Sequence, residues 1–279
     1  MVKIALVAGS GALPRHVERG ARAAGHEIYI AALKGFGNPA DFDADGDTFG
    51  LAEFGGMTRA FRKNDCTHVC FAGNVSRPDF KTLKPDWKTM KYLPKALAAA
   101  REGDDALLSL ILESFEHDGF EIVSPQDIVS ELLLPEGHLG SVGLTLTHRD
   151  DVKKACKMAQ TIGALDIGQG AVVCRGLVLA VEAQEGTDAM LSRISALPPD
   201  IRGSRSERAG VLAKMIKPGQ EIRVDLPTMG VETVRLAAEG GLAGIVAEAG
   251  RCFVIDRDAV IAAADAAGLF IVGIPTNTS

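Results

Sequence analysis

Short apolar runs alternate with helical patterns from the first residues of the chain. Val2–Ala8 is a nearly continuous apolar run, which is typical of a strand buried on both faces of a parallel sheet. Gly9–Gly11 predict a turn, and Pro14 suits the first turn of a helix that extends to about Ala24. A second strand follows at Glu27–Leu33, so the beginning of the chain predicts a βαβ unit.

The same alternation continues to the end of the chain, which predicts an α/β fold. Predicted helices lie at Met57–Lys63, Trp87–Arg101, Asp105–His117, Asp150–Gly163, Ala189–Ala196, Glu232–Glu239 and Asp258–Ala267. Predicted strands lie at His68–Ala72, Ala171–Arg175, Leu177–Val181, Val211–Met215, Glu221–Asp225, Gly244–Ala247, Phe253–Ile255 and Phe270–Val272. Proline and three glycines mark Leu134–Gly143 as a linker that permits hinge motion, so we expect two domains, 1–133 and 144–279.

Composition narrows the class of protein. The net charge of −6 argues against a nucleic-acid partner, because such binders neutralise phosphates with Lys and Arg. No segment approaches the roughly 18 consecutive apolar residues of a membrane span. Five scattered cysteines without a pairing framework indicate reduced thiols. We therefore predict a soluble, cytoplasmic protein.

Two glycine-containing loops follow predicted strands in the first domain. Gly9, Ser10 and Gly11 come after the first strand, and Gly73 and Asn74 come after the strand that ends at Ala72. Backbone N–H groups of such a loop and the following helix N-terminus favour a phosphate, although a plain tight turn explains the same residues. The third glycine of the dinucleotide fingerprint is missing, which weakens the case for NAD.

The stretch from Lys214 to Gly230 combines cations with one carboxylate. Lys214, Lys217 and Arg223 precede Asp225, and a Pro-Thr turn follows it. Phosphoryl chemistry uses cations to neutralise phosphate oxygens and a carboxylate to hold a divalent metal. The structural alternative is that Asp225 caps the next helix and pairs with a lysine.

A second polar stretch contains several acids near a strand end. Glu182, Glu185, Thr187 and Asp188 follow the strand at Leu177–Val181, and Thr187 or Asp188 suits the N-cap of the next helix. The remaining carboxylates, beside a lysine-rich loop, would form a Mg²⁺ and pyrophosphate site.

Other hydrolase signatures are absent from the sequence. The six histidines show no paired metal-binding spacing, which argues against a zinc hydrolase. No G-x-S-x-G elbow is present, so serine acyl transfer is unsupported.

Taken together, these segments resemble a known family. The runs LVAGSGALP, FAGNVSRP, LDIGQGAVV, AVEAQEGTDAML, LAKMIKPGQEIRVDLPTMG and GLAGIVAEAG occur in the order found in the LpxI-type UDP-2,3-diacylglucosamine pyrophosphatases. The resemblance extends along nearly the whole chain. EGTDAM and KPGQEIRVDLPTMG together are its most specific motifs.

The resemblance implies a fold and an activity. It implies a Rossmann-like N-terminal domain (1–133), a linker (134–143) and a C-terminal catalytic α/β domain (144–279), with a diacylated UDP-sugar lipid held between the domains. It also implies hydrolysis of UDP-2,3-diacylglucosamine to lipid X and UMP in lipid A biosynthesis, by attack of water on the phosphorus next to the sugar. The cofactor implied is Mg²⁺ or another divalent cation, and the family's essential aspartate falls on Asp225.

We assign roles to individual residues on this basis. Asp225, with Asp188 or Glu185, is expected to hold the metal, and Lys214 and Lys217 are expected to act in catalysis by holding the pyrophosphate. Substrate-binding residues are expected to be Gly9, Ser10, Gly11, Gly73, Asn74, Gln169, Thr187, Arg193, Gln220 and Thr228.

Partners and alternative functions complete the prediction. A lipid substrate implies transient contact with the cytosolic face of the inner membrane, and the sequence leaves the oligomeric state open, with a homodimer as one candidate. Two other functions stay open, a non-catalytic carrier of a nucleotide-sugar lipid and an NAD-dependent oxidoreductase.

Overall fold

A computed structural model describes residues 1–76 and 83–276, and the chain packs as two units. The N-terminal unit contains Met1–Glu131 and the short segment Glu221–Asp225. The C-terminal unit contains Leu132–Gln220 and Leu226–Ser279. Two residues of the FAGNVSRP motif, Arg77 and Pro78, lie outside the described residues.

The N-terminal unit is built on a five-stranded parallel sheet in the order β3-β2-β1-β4-β5. Its strands are β1 Lys3–Ala8, β2 Glu27–Leu33, β3 Gly46–Phe49, β4 His68–Ala72 and β5 Glu121–Ile122. Its helices are α1 Leu13–Ala23, α2 Phe54–Lys63, α3 Trp87–Glu102, α4 Asp104–His117 and α5 Pro125–Ile128, with a 3₁₀ turn at Pro39–Asp41. The apolar run of β1 is buried because this strand lies in the centre, between β2 and β4.

Aromatic side chains form much of this unit's core. Phe61 of α2 and Phe115 of α4 stack with ring centroids 5.9 Å apart, and both are buried. Phe71 of β4 and Phe120 meet the Phe115 ring edge-on, at 5.5 and 6.4 Å. Such contacts add to the hydrophobic free energy of burial and fix α2 and α4 against the sheet.

The C-terminal unit is built on a six-stranded mixed sheet in the order β6-β13-β11-β9-β7-β8. Its strands are β6 Gly137–Leu139, β7 Gly170–Cys174, β8 Leu177–Val181, β9 Val211–Lys214, β11 Gly244–Glu248 and β13 Phe270–Ile274. A separate parallel pair joins β10 Thr228–Met229 to β12 Phe253–Val254. The helices are α6 Arg149–Ala164, α7 Gly186–Ser195, α8 Pro199–Arg202, α9 Val231–Glu239 and α10 Arg257–Ala267, with a 3₁₀ turn at Leu146–His148. A further 3₁₀ turn, Ser130–Leu132, lies where the N-terminal unit ends and the C-terminal unit begins.

Both faces of this second sheet are covered. Leu212 of β9 packs in one core with α7, α9 and α10, whereas its neighbours Val211 and Ala213 pack in a second core with α6. This division follows from the two-residue period of a strand, which sends successive side chains to opposite faces. The mixed α/β architecture in two units is the one that the sequence predicts.

The segment that we interpret as a linker, 134–143, contributes a strand to the C-terminal unit. Its residues Gly137–Leu139 form β6, which pairs antiparallel with β13, and Leu134 and Leu139 are buried. Strand β6 has a single apolar side chain, that of Leu139, between two glycines, so the pattern of the sequence did not indicate a strand.

The predicted strand Glu221–Asp225 is wrong, because this segment forms a turn. The N–H groups of Val224 and Asp225 both donate to the carbonyl oxygen of Glu221 at 3.1 Å. Hydrogen bonds within the segment replace those of a strand ladder, so Arg223 and Asp225 are not placed on one face by the two-residue period that a strand would have.

Candidate functional site

The predicted phosphate loops of the N-terminal unit follow two adjacent strands. Gly9, Ser10 and Gly11 follow β1, and Gly73 and Asn74 follow β4. The chain leaves β1 towards β2 and β3 on one side, and reaches β4 and β5 on the other, so the strand order reverses between β1 and β4. Open α/β sheets bind ligands beyond the carboxyl ends of strands at such a switch point.

Reciprocal hydrogen bonds hold these two loops together. The N–H of Ser10 donates to the carbonyl oxygen of Asn74, and the N–H of Asn74 donates to that of Ser10, each at 2.9 Å. Gly73 has a φ of +94°, and a Cβ there would lie 2.7 Å from the Ser10 carbonyl oxygen. A Cβ on Gly9 would lie 2.7 Å from the Asn74 carbonyl oxygen. The close approach therefore requires glycine at both positions.

Helix α1 begins directly after the first loop without a side-chain cap. Ala12 is the N-cap residue and Pro14 lies in the first turn. Pro14 has no N–H and the Arg15 N–H donates to the Ala12 carbonyl oxygen at 3.1 Å, so among the described contacts the Leu13 N–H is the first-turn donor that remains. Together with the helix dipole it favours an anion, and phosphate binding by these loops stays a prediction.

Polar side chains gather at one edge of the sheet in the C-terminal unit. Lys214 is the last residue of β9, Glu182 directly follows β8, and Glu248 is the last residue of β11. Gln169 directly precedes β7, whose first residue, Gly170, is in register with Lys214. The strand directions therefore bring residues from distant parts of the sequence to the same edge.

A buried hydrogen-bond chain connects Lys214 of β9 with Thr187 of α7, Thr228 of β10 and Glu182. The ammonium of Lys214 donates to the Thr187 hydroxyl at 2.8 Å and to the Thr228 carbonyl oxygen at 2.7 Å. The Thr187 hydroxyl donates to Oε1 of Glu182 at 2.9 Å. Lys214, Thr187 and Glu182 are each less than 10 % exposed, so a buried cation and a buried carboxylate balance each other through one hydroxyl.

Two buried oxygens at this edge have no hydrogen-bond partner among the described residues. They are Oε2 of Glu182 and Oε1 of Gln169. Buried polar atoms are nearly always hydrogen-bonded in folded proteins, so such acceptors indicate a place where a donor from outside the chain binds. A Cβ on Gly170 would lie 2.4 Å from Oε2 of Glu182, so this position requires glycine.

Cys252 lies close to the same chain but is chemically inert. Burial raises the pKa of its thiol to about 12, against a smaller opposing effect of the Lys214 charge. The thiolate is the reactive form of cysteine, so Cys252 is a packing residue near neutral pH.

Lys217 and Gln220 organise the loop after β9. The Lys217 ammonium pairs with Asp166 at 2.8 Å. The Lys217 N–H donates to Oε1 of Gln220 at 2.8 Å, and the Gln220 N–H donates back to the Lys217 carbonyl oxygen at 3.1 Å. These reciprocal bonds close a turn around Gly219, whose φ is +79°.

The predicted cap of α7 is wrong. Glu185 occupies the N-cap position without a side-chain cap bond, and Thr187 uses its hydroxyl in the buried chain instead. The Glu185 carboxylate pairs with Arg193, one of the predicted substrate-binding residues. Asp188 lies in the first turn of α7.

Asp225 belongs to the segment that packs with the N-terminal unit. Next to it, the Arg223 guanidinium pairs with Glu221 at 2.7 Å and Glu116 at 2.6 Å. Hydrogen bonds from Arg223 hold the pKa of Glu221 below its ordinary value. The sequence shows Arg223 as a cation beside Asp225, but Glu116 is too distant in the chain for the pattern to reveal this pairing.

The predicted metal-binding residues are Asp225, Asp188 and Glu185. Within the part of the chain that the structure describes, no group of three or more His, Cys, Asp or Glu side chains is placed to hold a metal ion. A cation held by Asp225 and one further carboxylate needs no such group, so this assignment stays a prediction.

Two protein-family models match this chain, one over each part of it. The model of the LpxI N-terminal domain matches residues 3–132, and the model of the LpxI C-terminal domain matches residues 135–272. A curated protein of Caulobacter vibrioides named UDP-2,3-diacylglucosamine pyrophosphatase LpxI is 54% identical over 274 residues, covering 98% of each chain.

Two solved structures match this chain at low sequence identity. A precorrin-6A reductase, CobK, matches with a TM-score of 0.33 and 11% identity, over 99% of this chain and 88% of that one. The UDP-glucose 4-epimerase of Thermus thermophilus in complex with NAD matches with a TM-score of 0.32 and 14% identity, over 100% of this chain and 88% of that one. Likenesses at this level carry no argument about function.

Proposed function

The chain belongs to the LpxI family, and on that premise we propose that it hydrolyses UDP-2,3-diacylglucosamine to lipid X and UMP in lipid A biosynthesis. The observation that carries this proposal is the 54% identity to the Caulobacter pyrophosphatase, which extends over 98% of both chains. The enzyme is thus a hydrolase acting on a phosphoanhydride.

The loops of the N-terminal unit suit the phosphate end of a nucleotide. Gly9, Ser10, Gly11, Gly73 and Asn74 surround the uncapped start of α1, where backbone N–H groups favour an anion. We assign these residues to binding of the UDP portion. Their glycines allow the backbone to approach a ligand closely.

The edge of the C-terminal unit supplies a fixed positive charge. An ammonium has three donors, and Lys214 uses two of them on Thr187 and Thr228, which leaves one for a phosphate oxygen. Because the chain to Glu182 already orients the ammonium, little reorganisation accompanies charge development in the transition state. Gln169 offers its side-chain amide as a further hydrogen-bonding group. Lys217 supplies a second cation, which would leave its ion pair with Asp166 to bind the phosphate.

We assign the cation-dependent role to Asp225 alone. Mg²⁺ is usually held by one or two carboxylates together with substrate phosphates, so hydrolysis does not require a preformed cage of three acids. A bound divalent cation would neutralise the phosphate oxygens next to the attacked phosphorus. Glu185 is engaged by Arg193, which makes it the weakest of the three candidates.

The aspartate assignment is tested by substitution. Asp225→Ala and Asp225→Asn should each retain less than about a tenth of wild-type UMP release, because both remove the carboxylate charge. Asp258→Ala, at an exposed acid of α10, is the control and should retain full activity. Turnover of Asp225→Ala above that tenth refutes the assignment, and absence of UMP release from the wild type would favour a carrier.

Removal of divalent cations tests the metal proposal separately. Dialysis against EDTA should abolish UMP release, and Mg²⁺ should restore it, because the phosphate oxygens would otherwise repel the nucleophile. Circular dichroism before and after dialysis serves as the control for folding. Undiminished turnover in EDTA would contradict the proposed cation requirement.

We also propose that the enzyme acts in the cytoplasm through transient contact with the inner membrane. Acyl chains contribute about 0.8 kcal/mol for each buried CH₂ group, so a diacylated substrate resides mainly in a bilayer. Among the described residues, no helix has the length and apolar character needed to cross a membrane. Cell fractionation checks this proposal, which recovery of the protein in the periplasm would overturn.

A further inference from the structure

A large cavity lies in the C-terminal unit beside α9 and the second half of α10. Its volume is about 910 Å³, within the range of roughly 300–1,000 Å³ that small-molecule sites occupy. Its basic wall comes from the last residue of α8 and the loop between α8 and β9, at the amino edge of the central strands. Lys214 and Glu248 end their strands at the opposite edge, so the cavity is separate from the site described above.

Three arginines of this wall have no carboxylate partner among the described residues. Nη1 of Arg208 donates to the carbonyl oxygens of Ala238 and Leu242, at 3.1 and 3.3 Å. Arg202 donates only to carbonyl oxygens, through Nε and Nη1. No hydrogen bond or ion pair of Arg205 occurs within the described part of the chain, and this side chain is exposed.

Capping of helix ends explains only part of this arrangement. A guanidinium has five N–H donors, and the carbonyl bonds leave Nη2 of Arg202 and both Nε and Nη2 of Arg208 uncommitted. Burial and the neighbouring Arg205 charge lower the pKa of Arg208. The Arg205 and Arg208 guanidiniums therefore lie close enough to repel each other, and an anion between them would relieve this repulsion.

The other charged residues of the lining do not cancel this excess. Arg235 and Glu239 pair with each other on α9. The Asp265 carboxylate, which accepts the N–H of Ser141 at 2.8 Å, offsets only one of the three remaining positive charges. The cavity thus keeps a positive excess around Arg202, Arg205 and Arg208.

The rest of the cavity wall is apolar. Val231 and Val234 contribute from α9, and Ala263, Ala266 and Ala267 contribute from α10. Val231 is 40% exposed, although it is a β-branched apolar residue at the start of a helix. A ligand that fits this wall carries an apolar group next to its anion.

We propose that this cavity binds an organic phosphate whose phosphate group lies between Arg205 and Arg208 and whose apolar part lies along α9 and α10. Guanidinium groups recognise phosphate through paired N–H···O bonds, which a lone surface lysine does not offer. The phosphate can belong to a membrane phospholipid or to a free phosphate ester. The proposal goes beyond the hydrolytic function and does not depend on it.

Calorimetric titration of the full chain tests the proposal. The probes are inorganic phosphate, the soluble short-chain lipid dihexanoyl phosphatidic acid, and phosphatidylcholine vesicles with and without phosphatidylglycerol. The single tryptophan, Trp87, belongs to the N-terminal unit, so its fluorescence is a poor probe of this cavity. Arg205→Glu is the test variant, because no described contact is lost with the side chain. Arg59→Glu, at an exposed arginine of α2, makes the same change in net charge and is the control.

The expected result is binding of dihexanoyl phosphatidic acid that Arg205→Glu weakens by about tenfold or more and Arg59→Glu leaves unchanged. Competition by inorganic phosphate supports a free phosphate ester as the source, whereas binding only to vesicles with phosphatidylglycerol supports a lipid headgroup. Equal binding by Arg205→Glu and wild type, or no binding of any probe, overturns the proposal. UMP release by Arg205→Glu should equal that of wild type, so failure here is distinct from failure of the hydrolytic function.

Discussion

At the residue scale, the buried carboxylate of Glu182 fixes the position of the Lys214 ammonium at the sheet edge. Glu182 is 6% exposed and reaches Lys214 only through the Thr187 hydroxyl. A buried cation without its counter-charge is costly, so the carboxylate both stabilises the folded state and positions the ammonium. We infer that Glu182 is a positioning residue for hydrolysis rather than a group that contacts the reacting atoms.

The positioning role predicts a specific pattern in two variants. Glu182→Gln preserves shape but removes the counter-charge, so unfolding free energy should fall by up to about 3–5 kcal/mol and kcat should drop more than KM rises. Adding Lys214→Met should recover stability, because no unbalanced buried cation remains, but should not recover turnover. Urea unfolding and UMP release measure the two effects. Recovery of turnover in the double variant would refute the catalytic role of Lys214 and, with it, the positioning role of Glu182.

Residue types alone predicted part of the candidate site. The run ending in Lys214 and the acids after Val181 were visible as charged residues next to apolar strands. Their burial and connection through Thr187 were not, because partners 27 residues apart meet only when the sheet forms. Glu248 was missed, although an acid that ends a buried parallel strand is a usable signal of a functional edge.

At the element scale, the two loops of the N-terminal unit depend on glycines for different reasons. Gly73 combines a φ of +94° with a near collision between any Cβ and the Ser10 carbonyl oxygen. Gly11 has the same φ, but a Cβ there would meet nothing within 4 Å. A Cβ at Gly11 would therefore cause backbone strain alone, whereas a Cβ at Gly73 would cause the same strain and also collide with the neighbouring loop.

The comparison of Gly73→Ala with Gly11→Ala tests this difference. Gly11→Ala should cost about 1 kcal/mol from the left-handed backbone alone. Gly73→Ala should cost about 1–3 kcal/mol more, because the loops must separate to admit the methyl group. Thermal unfolding of both variants measures the difference. Equal stability of the two would mean that the Ser10–Asn74 pairing is not a constraint on the fold.

Element prediction succeeded where a strand or helix is long and its period is clear. The apolar run of β1 and the helical pattern of α6 are such elements, and both are present. The failures are short segments: Glu221–Asp225 has the composition of a strand but forms its bonds locally. Strand Gly137–Leu139 is stabilised by its pairing with β13, a partner that the local sequence does not reveal.

At the scale of the whole molecule, buried and partly buried thiols make the stability of the fold depend on alkaline pH. Burial raises the pKa of Cys156 and Cys252 to about 12 and that of Cys66 to about 11. The neutral thiol is therefore favoured in the folded state, and the unfolded chain ionises first as pH rises. The resulting stability is complete below the ordinary thiol pKa of 9 and is lost between about pH 9 and 12.

This linkage predicts a loss of stability in mild alkali. Each of the three thiols should contribute a decrease of about 1.4 kcal/mol in unfolding free energy between about pH 8 and pH 10. Urea unfolding at both pH values measures the total decrease in unfolding free energy. Cys156→Ala should make this decrease smaller by the contribution of one thiol. A pH-independent urea midpoint would show that these thiols are accessible to water in the folded protein.

The sequence by itself determined the α/β class, the family and the identity of the chemical groups. The spacing of apolar residues and the positions of glycines are set over a few neighbouring residues, so they can be read without the structure. Motifs such as KPGQEIRVDLPTMG, and their order along the chain, can likewise be recognised without knowing which residues are in contact. Only the tertiary structure decided which charged side chains are neutralised by a partner and which keep a donor that can bind a ligand. Arg223 pairs with Glu116 across 107 residues, whereas Lys214 keeps a donor at the sheet edge, because pairing depends on distances that the folded chain alone sets.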